Sequence, residues 1–175
     1  MKKLHWSLML AVAALLLALV PVLAQDVADP NTLTIMHTND VHARVLQMNR
    51  FNGTCDEEAA AAGECFGGVA RRATMINQIR DEGGNSVLLD GGDQFQGTLF
   101  YNRYKGEEAK QFMNALGYDA MAVGNHELDD GPPGLANFAS GVDFPVLSAN
   151  MDVSADADLA GLIAPYAVLD VNGEQ

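Results

Sequence analysis

The sequence predicts an α/β fold built on a layered sheet. Strand-like and helix-like segments alternate along the whole chain, the helical stretches carry apolar residues on one face, and each early strand ends in a polar loop. The first strand is "TLTIMH" (32–37), β-branched and apolar. In "GGVARRATMINQIRDEGG" (67–84), Val69, Met75, Ile76 and Ile79 recur at helical spacing before a glycine stop. "SVLLD" (86–90) reads as a short buried strand. "GEEAKQFMNALG" (106–117) reads as a helix with Ala109, Phe112, Met113 and Leu116 on one face, and "DAMAV" (119–123) as the next strand. "PPGLANFAS" opens a helix with prolines in the turn that tolerates them, and "FPVLSAN" (144–150) returns to strand. Finally "YAVLDVNGEQ" predicts the first arm of a hairpin with "NG" at its turn. With no second arm following, the chain is expected to be the front part of a longer protein.

The first residues form a separate element. "MKKLHWSLMLAVAALLLALVPVLAQD" has a basic start, an apolar run from Leu8 to Val20 and small residues before Gln25, the pattern of a secretory signal peptide cleaved after Ala24. An uncleaved anchor is the competing reading, but the run is short for spanning and ends at Pro21. Either way residues 25–175 are expected outside the cytosol, secreted, periplasmic or at the cell surface.

Charge narrows the partners. The formal net charge is −13, and it becomes −15 (8 − 23) once Lys2 and Lys3 leave with the signal. So acidic a chain repels polyanions, which excludes long nucleic acid as a partner. A small anion can still bind where metal ions concentrate positive charge. Cys55 and Cys65 lie in one loop, and outside the cytosol such a pair predicts a disulfide; the alternative, a thiolate metal pair, does not fit the nine intervening residues. "NGT" at Asn52 fits a glycosylation acceptor.

Chemically capable residues stand after three successive strands: Asp40 and His42 in "TNDVHARV", Asp93 in "DGGDQFQG", and Asn125, His126 and Asp129 in "GNHELDD". Loops beyond the carboxyl ends of strands form the crevice of an open α/β sheet, so these groups can converge. Asp40 and His42 are expected on a still-extended segment, where residues two apart point to the same side. Each loop taken singly is equally a capped turn, and His37, inside the strand, reads as structural. Together, carboxylate, imidazole and carboxamide suit divalent ions such as Zn²⁺ or Mn²⁺. Two such ions bring +4 and Asp40 with Asp93 return −2, leaving positive charge for a phosphate, as a dinuclear hydrolase requires.

The segments "LTIMHTNDVHARV", "LLDGGDQFQGT" and "YDAMAVGNHELD" resemble, in order and spacing, the leading motifs of the 5'-nucleotidase branch of the calcineurin-like metallophosphoesterases. "GGVARRATMINQIR", "YKGEEAKQFMNALGYDAMAVGNHE" and "FPVLSAN" are similar to the secreted ecto-5'-nucleotidases, as is the cysteine pair, and the likeness runs from Leu33 to Val171. The resemblance implies an αββα-type layered sheet of which residues 25–175 are the N-terminal part, the rest of the domain and a nucleoside-binding C-terminal domain lying beyond them. It implies two divalent ions, with Asp40 and His42 on the first, Asp93 bridging and Asn125 on the second. His126 would stabilise or protonate at the scissile phosphate, Asp129 would orient it, and a metal-activated water would attack. Arg44 is expected in a salt bridge. Leu128 stands where the family commonly has Phe, and no histidine follows His126 to complete the second site.

The implied activity is hydrolysis of nucleoside monophosphates to nucleoside and phosphate. The alternatives are a 2',3'-cyclic-nucleotide phosphodiesterase or UDP-sugar hydrolase of the same chemistry, and, in another class, a noncatalytic secreted metal-binding module. The 175 residues alone are expected to be inactive, and a membrane anchor in a later segment is compatible with the resemblance.

Overall fold

The computed structural model describes residues 32–173. The signal peptide expected over residues 1–24 lies outside them. Five parallel strands form the main sheet in the order β1 (Leu33–Thr38), β4 (Asn85–Asp90), β5 (Ala120–Ala122), β6 (Val146–Leu147), β7 (Ile163–Ala164). Between β1 and β4 stand a small antiparallel pair, β2 (Met48–Asn49) with β3 (Cys65–Phe66), a short helix α1 (Glu57–Ala61) and the long helix α2 (Val69–Asp81). Helices α3 (Leu99–Tyr104) and α4 (Glu107–Leu116) connect β4 to β5, and α5 (Gly131–Ala139) connects β5 to β6.

Strand order advances in one direction without reversal, so crossovers of one hand place their helices on one side of the sheet. Burial agrees. On one face of the strands, Met36, Leu88, Met121, Val146 and Ile163 all sit in the core with Ile76, Met113, Leu116, Leu135 and Phe138 of the helices. The other face is open in part: Ile35 is 60% exposed and His37 and Ala122 are also exposed, while Val87 and Ala120 on the inner strands are buried. The chain from Tyr166 onward crosses part of that face, where Asn172 Nδ2 donates to Asn85 Oδ1 at 2.6 Å. Of the expected αββα arrangement the described residues therefore hold one helical layer and one sheet.

Three sequence expectations need correction. The amphipathic face of α2 is narrower than expected, with Ile76 buried but Met75 57% exposed. The hairpin arm is absent: residues 166–170 have no regular structure, although the "NG" turn exists, with left-handed Asn172 and Gly173 (φ 56° and 90°). The last strand is instead β7, in an Ala- and Asp-rich stretch with little strand propensity; it forms because β6 offers a free parallel edge, and Ser148 N donates to Ala164 O at 2.9 Å. The expected disulfide is present between Cys55 and Cys65, with Cys65 buried beneath a largely exposed loop.

The two faces of β1 give a direct contrast. Met36→Ala should cost about 2–5 kcal/mol of stability through the cavity it leaves. Ile35→Ala, one residue away on the open face, should cost about 0.5 kcal/mol. Urea unfolding of the two variants measures both, and equal costs would contradict the one-sided core.

Candidate metal centre

The three polar loops meet at the carboxyl edge of β1, β4 and β5, and the backbone joins them first. Beyond the β1–β4 ladder, Gly91 N donates to Thr38 O (2.8 Å), Asp40 N to Gly92 O (3.0 Å), His42 N to Asp93 O (3.0 Å) and Ala43 N to Gln94 O (2.9 Å). Loops two and three touch main chain to main chain: a Cβ on Gly92, whose φ is +98°, would lie 2.5 Å from Gly124 N. A Cβ on Gly124 would collide with the Asp93 carboxylate and amide. Only glycine permits that approach.

The expected extended segment after β1 is not extended. Asp40, His42 and Ala43 adopt left-handed φ angles of 52°, 50° and 52°, because the chain must turn to stay paired with loop two. Asp40 and His42 nonetheless face each other, with Asp40 Oδ1 3.6 Å from His42 Nε2. His42 Nδ1 donates to Phe95 O at 3.1 Å, which fixes the proton on Nδ1 and leaves Nε2 as a free donor of electrons.

Ligand atoms of His42, Asp93 and His126 lie within 4.8 Å of one another, the donor set that borderline divalent ions take. The imidazoles of His42 and His126 pack edge to face at 5.1 Å. Asp93 Oδ1 also accepts from His126 N at 2.9 Å. Oriented with its amide nitrogen toward the carboxylate, Asn125 donates to Asp93 Oδ2 at 3.3 Å. Loop three thus brings His126 into the group that sequence reasoning assembled from Asp40, His42 and Asp93. Asp129 Oδ2 lies 2.7 Å from His126 Nδ1, and this hydrogen bond holds the imidazole pKa above its ordinary value and the Asp129 carboxyl below its own. The pair is therefore a charged dyad over a wider pH range than free histidine allows.

Arg44 makes no salt bridge among the described residues. Its Nε donates to Asn52 Oδ1 (3.0 Å) and its Nη1 to His42 O (3.4 Å), tying the disulfide loop to the His42 turn.

Sequence reasoning passed over two buried acids beneath the loops. Glu127, 0% exposed, accepts from Gly124 N (2.7 Å), Gln94 N (2.8 Å), Asp93 N (2.9 Å) and Phe95 N (3.3 Å). Every partner is a donor, which is what a carboxylate takes. Asp90, 4% exposed, accepts from Thr38 Oγ1 (2.5 Å), Gln94 Nε2 (2.7 Å) and Gly92 N (2.8 Å), and burial raises its pKa against these bonds. Tyr118 OH extends the network to Thr38 Oγ1 at 2.6 Å. The clue was present: two glycine-rich loops turn consecutive N–H groups inward, and buried donors require an acceptor.

Glu127→Gln keeps the shape but can accept these four bonds only in part. It should cost about 1.5–3 kcal/mol, the worth of a hydrogen bond to a charged group, and weaken divalent-metal binding by about 10–100-fold. Thermal unfolding and titration calorimetry check the two effects, and unaltered metal affinity in the folded variant would contradict the assignment.

Residues 33–175 match the family model described as calcineurin-like phosphoesterase. A snake venom 5'-nucleotidase from Naja atra is 51% identical over 146 residues, covering 82% of this chain and 27% of the relative. The 5'-nucleotidase of Homo sapiens is 47% identical over 167 residues, 94% of this chain and 28% of that protein. The crystal structure of a 5'-nucleotidase precursor from Thermus thermophilus superposes with a TM-score of 0.71 at 45% identity, over 81% of this chain and 27% of that one. Haemophilus influenzae NAD nucleotidase superposes at 0.65 with 28% identity, over 81% and 25%. The chain spans about a quarter of the length of these relatives. It belongs to the calcineurin-like phosphoesterase family, and its parallel sheet with flanking helices is the fold of the 5'-nucleotidase structures.

Proposed function

We propose that this member of the calcineurin-like phosphoesterases is the N-terminal part of a secreted two-metal phosphohydrolase, a 5'-nucleotidase acting on nucleoside monophosphates. The observation that carries this is the convergence of His42, Asp93 and His126 where three loops of a phosphoesterase sheet meet. The curated relatives named 5'-nucleotidase support the substrate class.

In this proposal Asp40 and His42 would hold the first ion, Asp93 would be shared and Asn125 would serve the second, and the mixed nitrogen and oxygen donors suit Zn²⁺. Such ions supply Lewis acidity and neutralise phosphate charge. His42 is presented by its turn with Nε2 free, Asp93 is held by the loop-three amides, and His126 faces the phosphoryl group as its imidazolium. Asp129 orients that ring and keeps it protonated. The remaining ligands, the layer covering the open face of the sheet and the nucleoside-binding domain come from chain beyond Gln175, which is why the 175 residues alone are expected to turn over negligible substrate. The apolar, basic-headed N-terminus supports export.

The deciding assay follows phosphate release by the full-length protein from AMP, a 2',3'-cyclic nucleotide and a UDP-sugar, with and without chelator. AMP should be the best substrate, chelation should abolish turnover, and Asp93→Asn should lower kcat at least about 100-fold, as losing a bridging ligand implies. Preference for one of the other two substrates would replace the nucleotidase with the corresponding activity. No chelator-sensitive release from any substrate would leave a noncatalytic metal-binding module.

A further inference from the structure

We infer that Tyr101, Lys105 and Asp130 form a clamp that positions the His126–Asp129 dyad, a role resting on the phosphohydrolase proposal above. The turn bearing the dyad is held at its upstream end by His126 N on Asp93 and by Glu127 on the loop-two amides. Nothing in those bonds fixes the downstream end, where Asp129 must present its carboxylate to His126 Nδ1. The next residue, Asp130, supplies that restraint.

Asp130 occupies the N-cap position of α5, where an aspartate ordinarily accepts a hydrogen bond from an amide of the first helical turn. Here Pro132 and Pro133 fill the positions whose amides a cap would bond, and proline has no N–H, so the Asp130 side chain has no cap bond to make. The carboxylate turns toward α3, accepting from Tyr101 OH at 2.8 Å and pairing with Lys105 Nζ at 3.0 Å. Tyr101 is 1% exposed, so its ring cannot move without opening the core, where it packs on Phe95 at 5.0 Å. Burial, then the Asp130 carboxylate, push the hydroxyl pKa upward, so it stays a donor.

Lys105 closes the clamp from outside. It is left-handed (φ 55°) at the end of α3, its amide donates to Tyr101 O at 2.8 Å, and its ammonium stands 5.1 Å from the Tyr101 ring centroid. The ion pair is 57% and 38% exposed at its two side chains and so contributes little by itself. Its part is to offset the Asp130 charge beside Asp129, while the buried hydroxyl gives direction. Deleting the hydroxyl leaves Asp130 held only by the exposed Lys105 ion pair, and the neighbouring Asp129 carboxylate loses its fixed position against the imidazole.

Tyr101→Phe removes that oxygen and keeps the packing. In the full-length protein it should lower kcat for AMP about three- to tenfold, one hydrogen bond's worth, with KM little changed. Tyr104→Phe, on the same helix but half exposed, should leave both constants alone. Nitrogen-15 spectra of the metal-free protein, taken at a pH alkaline enough to leave the His126 ring neutral, give a second readout: one tautomer, protonated at Nδ1, in the unaltered protein and a mixture in Tyr101→Phe. Lys105→Met should shift both readouts in the same direction by less, and stands in if Tyr101→Phe does not fold. A variant that keeps the original kcat and a single tautomer would overturn the clamp. Absence of phosphate release by the unaltered protein would instead overturn the phosphohydrolase proposal, and the tautomer spectra would still decide the clamp.

Discussion

One buried carboxylate holds the candidate metal centre together. Glu127 has no exposed surface, and it gathers main-chain amides from two loops that are separated by about thirty residues in sequence, three from the loop after β4 and one from the loop after β5. Burying a charge without partners is very unfavourable, so its position is determined by those four donors as firmly as theirs is by it. Asp93 precedes two of the bonded amides and donates through its own; His126 is the residue before Glu127. The ligands are therefore placed by an acid that does not itself face the site.

The same constraint explains the glycines and the turn geometry. With Glu127 drawing the loops together, Gly92 and Gly124 come into main-chain contact that no side chain could share. The β1 loop is then zipped onto loop two by amide-to-carbonyl bonds, and the left-handed turn at Asp40, His42 and Ala43 follows from keeping that register. Asp90, Thr38, Tyr118 and Gln94 fill the space beneath with hydrogen bonds. A rigid, pre-paired floor of this kind holds ligands in place before an ion arrives, which is what close geometry at a metal centre demands.

Much of this was legible in the sequence, for physical reasons that differ by element. β1, β4 and β5 carry apolar runs that only a sheet interior buries, and the polar residues immediately after them stand out against those runs. α4 shows its face because ten residues allow a full period. α3 was missed because six residues cannot display one, although Thr98 before it and the Lys105–Gly106 turn after it are its caps. β7 was invisible since its pairing with β6, not its composition, makes it a strand. Glu127 and Asp130 carry no signal of their own in the sequence, which shows charge but not the donors that surround it, and both are defined by partners far along the chain. Arg44 was misjudged for the same reason, its partners being an amide oxygen and a carbonyl rather than an acid.

The central claim is that three loops of this chain converge so that His42 and Asp93 can hold a divalent ion with His126 standing beside it. Crystals of the protein grown with Mn²⁺ and measured for anomalous scattering test it most directly. The account predicts a strong anomalous peak in contact with His42 Nε2 and the Asp93 carboxylate, on the Asp40 side of the His42 ring. A peak only elsewhere, such as along the acidic segment from Asp152 to Asp158, or no peak at the three loops under saturating metal, would contradict it.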